Sequence, residues 1–164
     1  MPSESPLKVG FIGLSSKGWA SDVLAPALTQ PSLRGTYDLV AVSTTTQASS
    51  QISADNYSKI VGHPIKAYYG DSSKIASDPD VDVVGVAVRV TSHRDVVLPV
   101  IAAKKNFWLE WPAGRNTAET KEMAEAARKN GVNSIIGFQG RYTATLRKVG
   151  VLIHNHCFLY FSNN

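Results

Sequence analysis

The stretch Lys8-Val9-Gly10-Phe11-Ile12-Gly13-Leu14-Ser15-Ser16-Lys17-Gly18-Trp19-Ala20 decides the fold. An apolar run of strand type ends at Gly13, small residues follow, and a helical pattern begins near Gly18. This is the strand–turn–helix that opens a dinucleotide-binding βαβ unit. Read as G-x-G-x-x-G, the glycine places fall on Gly13, Ser15 and Gly18. Gly13 supplies the tight turn, and Gly18 is expected to let the helix lie close to the strand. Ser15 holds the place where backbone must approach a pyrophosphate, and its small side chain keeps a hydroxyl available for a phosphate oxygen. The helix N-terminus adds free N–H groups and a positive dipole end.

Outward from this stretch, strands and helices alternate. Tyr37–Ser43 is an apolar, β-branched second strand, and a helix follows the polar run 44–50 to about Val61. Ile65–Tyr69 suits a short third strand, and Asp71 or Ser72 a cap for a short helix ending near Asp78-Pro79. Val81–Val88 reads as a central strand, apolar on both faces. Ser92 with Asp95 predicts a capping box for the apolar helix that runs to Ala103 across Pro99. Asn106–Glu110 is a fifth strand and Ser134–Phe138 a sixth. Between them, Asn116 and Glu119 open a helix that Arg128, Lys129 and Gly131 close. The helix from Trp19 to Gln30 contains Pro26, which predicts a kink or an early end. The pattern implies an α/β fold with a parallel, doubly wound sheet and right-handed crossovers.

Composition narrows the classes. The chain has 164 residues, 43% of them apolar and 18% charged, which suits one domain with a proper core. Residues 1–6 read as a disordered lead-in without the features of a secretory signal. No apolar run approaches the ~20 residues of a membrane span. Cys157 is the single cysteine, so a reducing compartment fits, in the cytoplasm or nucleus. The net charge of +4 is spread over scattered basic residues, which argues against direct nucleic-acid binding. His154-Asn155-His156-Cys157 is too tightly spaced for a structural zinc site, so no metal is expected.

In open α/β sheets, ligands lie beyond the carboxyl ends of the strands. That rule selects residues 13–18, 43–46, 88–93, 110–113 and 139–141. At the end of the second strand, where an NAD site carries a carboxylate for the ribose hydroxyls, stand Ser43 and Thr44. Asp38 lies at the wrong end of that strand. With no carboxylate to repel a 2′-phosphate and no arginine evident to attract one, Lys17 being the one cation in reach, weak discrimination between NAD and NADP is expected. His93, in a first helical turn at the carboxyl edge, is open to two readings, an acid–base residue or a histidine bonding a backbone group. Glu110 is equally open, as a catalytic carboxylate or a cap acceptor, and Arg141 as a pocket residue or a solvated one.

The strand Val81–Val88, the turn Thr91-Ser92-His93, then Glu110-Trp111-Pro112 and a capped helix resemble the amino-terminal half of the glucose–fructose oxidoreductase/inositol dehydrogenase/MocA family. The resemblance covers residues 7–149. It implies a Rossmann domain for NAD or NADP followed by a sheet domain for a sugar or polyol. The family's Glu-Lys-Pro motif, whose lysine serves proton transfer, is here Glu110-Trp111-Pro112. An indole N–H is a donor only and takes up no proton from a hydroxyl. Glu-Trp, the Ser15-Ser16-Lys17-Gly18-Trp19 loop and Gln139-Gly140-Arg141 are more similar to the branch that represses the galactose regulon in yeasts. That branch acts by binding a transcriptional activator protein.

The resemblance implies that Gly13, Ser15, Lys17 and Gly18 hold the pyrophosphate and that Ser43 and Thr44 flank the adenosine ribose. It places Val88, Val90, His93, Glu110 and Trp111 on the nicotinamide side, with Arg141 near the mouth. It makes oxidoreductase-like regulation the expected role and sugar or polyol dehydrogenation the alternative. The substrate domain has no counterpart, and residues 150–164 read as an atypical tail of a truncated product. An exposed apolar surface, and with it association between copies, is expected.

Overall fold

The computed structural model describes residues 5–138 and 143–151. Strands β1 (Leu7–Ile12), β2 (Tyr37–Thr44), β3 (Lys66–Tyr69), β4 (Val83–Val86), β5 (Asn106–Glu110) and β6 (Ser134–Gly137) form one sheet. Their order is β3-β2-β1-β4-β5-β6, and each neighbouring pair is parallel. The order reverses between β1 and β4, which makes their carboxyl ends the switch point of a doubly wound sheet.

Helices α1 (Ala25–Thr29), α2 (Gln47–Val61), α3 (Ser73–Ala76), α4 (His93–Ala102) and α5 (Thr117–Asn130) connect the strands. Residues 144–151 are also helical. Two apolar clusters flank the sheet. On one side Val84, Val86, Val97, Val100, Ile101 and Met123 join β4 to α4 and α5. On the other, Val9, Leu39, Leu14, Ala54 and Tyr57 join β1 and β2 to α2. Each fully buried Val, Leu or Ile contributes about 1.5–3 kcal/mol relative to exposure, so these stripes outweigh any single polar contact. Among the described residues the second side is incompletely covered. A cleft of about 440 Å³ lies open there, lined by Val9, Phe11, Leu28, Val83, Trp108 and Ile135. The expectation of an exposed apolar surface has its counterpart in this cleft.

Helix ends follow their caps. Thr46 and Ser49 form a capping box at α2, and Gly62 closes that helix with φ 88°. Asn116 Oδ1 accepts from the Glu119 N–H at 3.0 Å, and Gly131 ends α5 with φ 67°. Asp71 Oδ1 accepts from the Ser73 N–H at 2.8 Å and so starts α3.

Three local expectations are corrected. The helix from Trp19 to Gln30 is a π-helical turn, Ala20–Leu24, followed by the short α1 and a 3-10 turn, Pro31–Leu33. Pro26 has no N–H to give the carbonyl of Asp22, and the chain slips to an i−5 bond, Ala25 N–H to Ala20 O. Strand β4 is four residues rather than eight, because Val81 turns into the core and bonds Asp78 O at 3.2 Å. Ser92 makes no side-chain cap, since a 3-10 turn, Val90–Ser92, runs straight into α4. Asp95 instead meets the Arg94 guanidinium at 3.2 Å.

Gly13 is the tightest point of the sheet. Its φ is +90°, and a β-carbon there would lie 2.1 Å from Ala87 O. Gly18 has φ +113°, but its missing β-carbon would meet only Ser15 Oγ, at 4.0 Å. Gly18 is therefore required by backbone conformation and not, as expected, by close helix–strand packing.

A polar cluster sits at the opposite, amino-terminal edge. Lys66 Nζ donates to Asp78 at 2.9 Å and to Asp80 at 2.7 Å, and the Tyr68 hydroxyl donates to Asp78 at 3.0 Å. Burial works to raise the Asp78 pKa, but the bonds from Lys66, the Asp80 N–H and Tyr68 together hold it below its usual 3.8. Lys66 likewise holds Asp80 low, Arg115 holds Glu119 low, and Arg94 holds Glu122 low.

Two outcomes are expected. Carboxylates depressed in the folded state stabilise it fully above their unfolded values and lose that contribution as pH falls through the folded ones. The thermal midpoint should stay nearly level from about pH 7 to 5 and drop below about pH 4, read by circular dichroism. Gly13→Ala should destabilise the chain by roughly 2–4 kcal/mol in urea unfolding, through the clash with Ala87 O and the strained φ.

Candidate functional site

At the switch point a cleft of about 540 Å³ opens beyond the strand ends. Ile12, Gly13 and Ser15 form its floor, and Ser43, Thr44 and Thr45 form one side with Ser49 of α2. Val88, Arg89, Ser92 and Val96 form the other side, and Gly70 the far corner. The strand ends are held in register by backbone bonds. Gly13 N–H donates to Ser43 O at 2.8 Å, Ala87 N–H to Ile12 O at 3.0 Å and Gly70 N–H to Thr44 O at 3.0 Å.

The loop after β1 is anchored from below. Leu14 is wholly buried. Its carbonyl accepts from the Ser53 hydroxyl, and the Ser15 carbonyl accepts from the Tyr57 hydroxyl at 3.3 Å. Both donors lie on α2, and burial and then the charge of Asp22 push the Tyr57 pKa up, keeping that donor protonated. The Ser15 hydroxyl donates to the Lys17 carbonyl, so in this state it closes the loop instead of standing free as expected. Gly18 O then accepts from both Asp22 N–H and the Ser21 hydroxyl, which fixes the first turn beyond the loop.

The rim beside β2 is built from hydroxyls. Thr44 Oγ1 and Ser49 Oγ lie 2.5 Å apart, and Ser49 Oγ is 2.9 Å from Thr46 Oγ1. Asp38, at the other end of the strand, is 2.7 Å from His63 Nε2 and takes no part.

His93 is buried and does not line the cleft. It is 1% exposed. Its Nε2 lies 3.0 Å from Val88 O, and its Nδ1 lies 2.9 Å from Pro112 O and 3.2 Å from Ala113 O. Both ring nitrogens lie within hydrogen-bond distance of backbone carbonyls, and a neutral ring donates from one of them. These contacts are the ones the backbone-bonding reading describes. The ring clasps the end of β4 to the turn after β5, whose Trp111–Pro112 bond is cis. Trp111 itself is 60% exposed and meets Phe138 edge to face, with centroids 5.3 Å apart.

Of the residues expected to bind a dinucleotide, Gly13, Ser15, Ser43, Thr44 and Val88 share the one cleft. Lys17, Gly18, Val90, His93, Glu110 and Trp111 do not line it, and Arg141 lies outside the described residues, as does His154-Asn155-His156-Cys157. Thr45, Ser49, Gly70, Val96 and above all Arg89 were missed. The strand-end rule selects the segment that holds Arg89, but the end of β2 by itself offers no arginine. The arrangement can seat an elongated polar ligand with an anionic centre over the loop. Among the described residues no cluster of His, Cys, Asp and Glu could hold a metal, and no helix is long and apolar enough to cross a membrane.

Known proteins share this fold. The chain is 28% identical over 162 residues to the galactose/lactose metabolism regulatory protein GAL80 of Saccharomyces cerevisiae, covering 93% of this chain and 35% of that protein. It is 27% identical over 151 residues to dehydrogenase aclE of Aspergillus oryzae, covering 91% of this chain and 40% of the relative. The crystal structure of a super-repressor mutant of Gal80p from Saccharomyces cerevisiae superposes with a TM-score of 0.80 at 26% identity, over 92% of this chain and 39% of that one. The chain thus spans about two fifths of the length of these relatives. The model of the GFO_IDH_MocA oxidoreductase family, NAD-binding Rossmann fold, matches residues 7–138, and the chain belongs to that family.

Proposed function

We propose that the chain binds NAD or NADP as a regulatory module of the galactose-repressor type, with little turnover of its own. The observation that carries this reading is Trp111. It follows Glu110 at the carboxyl end of β5, where the resemblance expects the lysine of Glu-Lys-Pro. Its indole donates one hydrogen bond and accepts no proton. His93 is buried among backbone carbonyls and does not line the cleft. The described residues that line the cleft have the parts to hold a dinucleotide, and none of them carries a base of the kind that hydride transfer from an alcohol requires. The likeness to GAL80 supports the same reading, with a transcriptional activator protein as partner in the cytoplasm or nucleus.

A second reading, an NAD(P)-dependent sugar or polyol dehydrogenase, draws on the similarity to dehydrogenase aclE. In that reading Glu110, or a residue beyond the 164 present here, supplies the base.

Titration with NADH or NADPH, followed by cofactor fluorescence, should show saturable binding to the purified chain. Incubation with NAD or NADP and a panel of sugars and polyols should leave absorbance at the reduced-nicotinamide band unchanged. Steady turnover of any of them would overturn the regulatory reading and favour the dehydrogenase.

A further inference from the structure

Among the described residues, Arg89 is the one charged residue that lines the cleft at the switch point. It is exposed, and its guanidinium has no hydrogen-bond or ion-pair partner among the described residues. It follows β4, across the cleft from Thr44, Thr45 and Ser49. Among the described residues no carboxylate lines this space; the two that adjoin lining residues in sequence are Asp71, which accepts from the Ser73 N–H at 2.8 Å, and Asp95, which pairs with Arg94 at 3.2 Å. The start of α2, capped by Thr46, turns the positive end of a 15-residue helix toward the same rim.

We infer that Arg89 and this hydroxyl rim form a subsite for the 2′-phosphate of NADP, so that the cleft prefers NADP to NAD. The inference rests on the dinucleotide reading above. A site that favours NAD places a carboxylate at the end of the second strand, where it bonds the ribose hydroxyls and repels a phosphate. Here Ser43 and Thr44 stand at that point, and a dianionic phosphate meets donors only. Arginine is charged at every accessible pH and presents a fork of donors matched to phosphate oxygens. The cation comes from the crossover after β4 and not from the end of β2, which is why inspection of β2 alone suggests indifference. Ser49 of α2 sits between Thr44 and Thr46 through its hydroxyl, so the rim is already organised before a ligand arrives.

The test compares NADH and NADPH binding by fluorescence titration in the 164-residue chain and in Arg89→Ala and Arg89→Lys. The unmutated chain should bind NADPH at least tenfold more tightly, and that ratio should shrink as salt rises. Arg89→Ala should lose roughly ten- to a hundredfold in affinity for NADPH and leave NADH within about twofold, and Arg89→Lys should recover part of the loss. Equal losses for both nucleotides would place the guanidinium on the pyrophosphate or adenine ring and overturn the inference. So would NADPH affinity unaffected by the substitution. If neither nucleotide binds the unmutated chain, the dinucleotide reading itself falls. If NADH binds and NADPH does not, only the subsite is lost. Circular dichroism of each variant, expected to match the unmutated chain because Arg89 is exposed, separates a binding effect from misfolding.

Discussion

No side chain fits between the end of β1 and the end of β4. A β-carbon on Gly13 would overlap Ala87 O, and that absence lets the two halves of the sheet part while their backbones stay in register. Gly13 N–H bonds Ser43 O on one flank, and Ala87 N–H bonds Ile12 O on the other. The cleft is the space left where these three strand ends diverge. Everything else that lines it, from the hydroxyl rim to Arg89, is placed relative to that contact. Reversal of strand order at this point is a matter of topology, but its use as a site depends on one residue having no side chain.

His93 illustrates how a chemically capable group becomes structural. Imidazole is the usual choice for proton transfer near neutral pH. Here three backbone carbonyls surround the ring and water is excluded. The ring then works as a strut between the strand-four crossover and the turn after β5. The hydrogen bonds that occupy the imidazole are the ones that tie Pro112 and Ala113 to the end of β4.

Much of this was legible from the residues alone. The strand Asn106–Glu110 and the helix capped by Asn116 were readable to the residue, because alternation, cap and terminal glycine agree locally. The turn after β1 was readable as a turn, because small residues follow an apolar run that ends at Gly13. What sequence could not convey was long-range. Nothing near His93 announces that residues 112 and 113 will bring their carbonyls to it. Nothing near Ser92 shows that a 3-10 turn will take the place of a cap. The π-helical turn before Pro26 follows from a missing N–H, yet a kink, a stop or a slipped register would each have answered the same deficit. Arg89 was overlooked because a pattern of residues names the strand end but not the wall that the next side chain joins.

The loop over the cleft shares its carbonyls with α2. Leu14 O is bonded to Ser53 and Ser15 O to Tyr57, and those two residues lie four apart on one stripe of that helix. Loop and helix are thus joined as one unit, and a substitution on that stripe of α2, at Ser53 or Tyr57, reaches the floor of the cleft through a single hydroxyl.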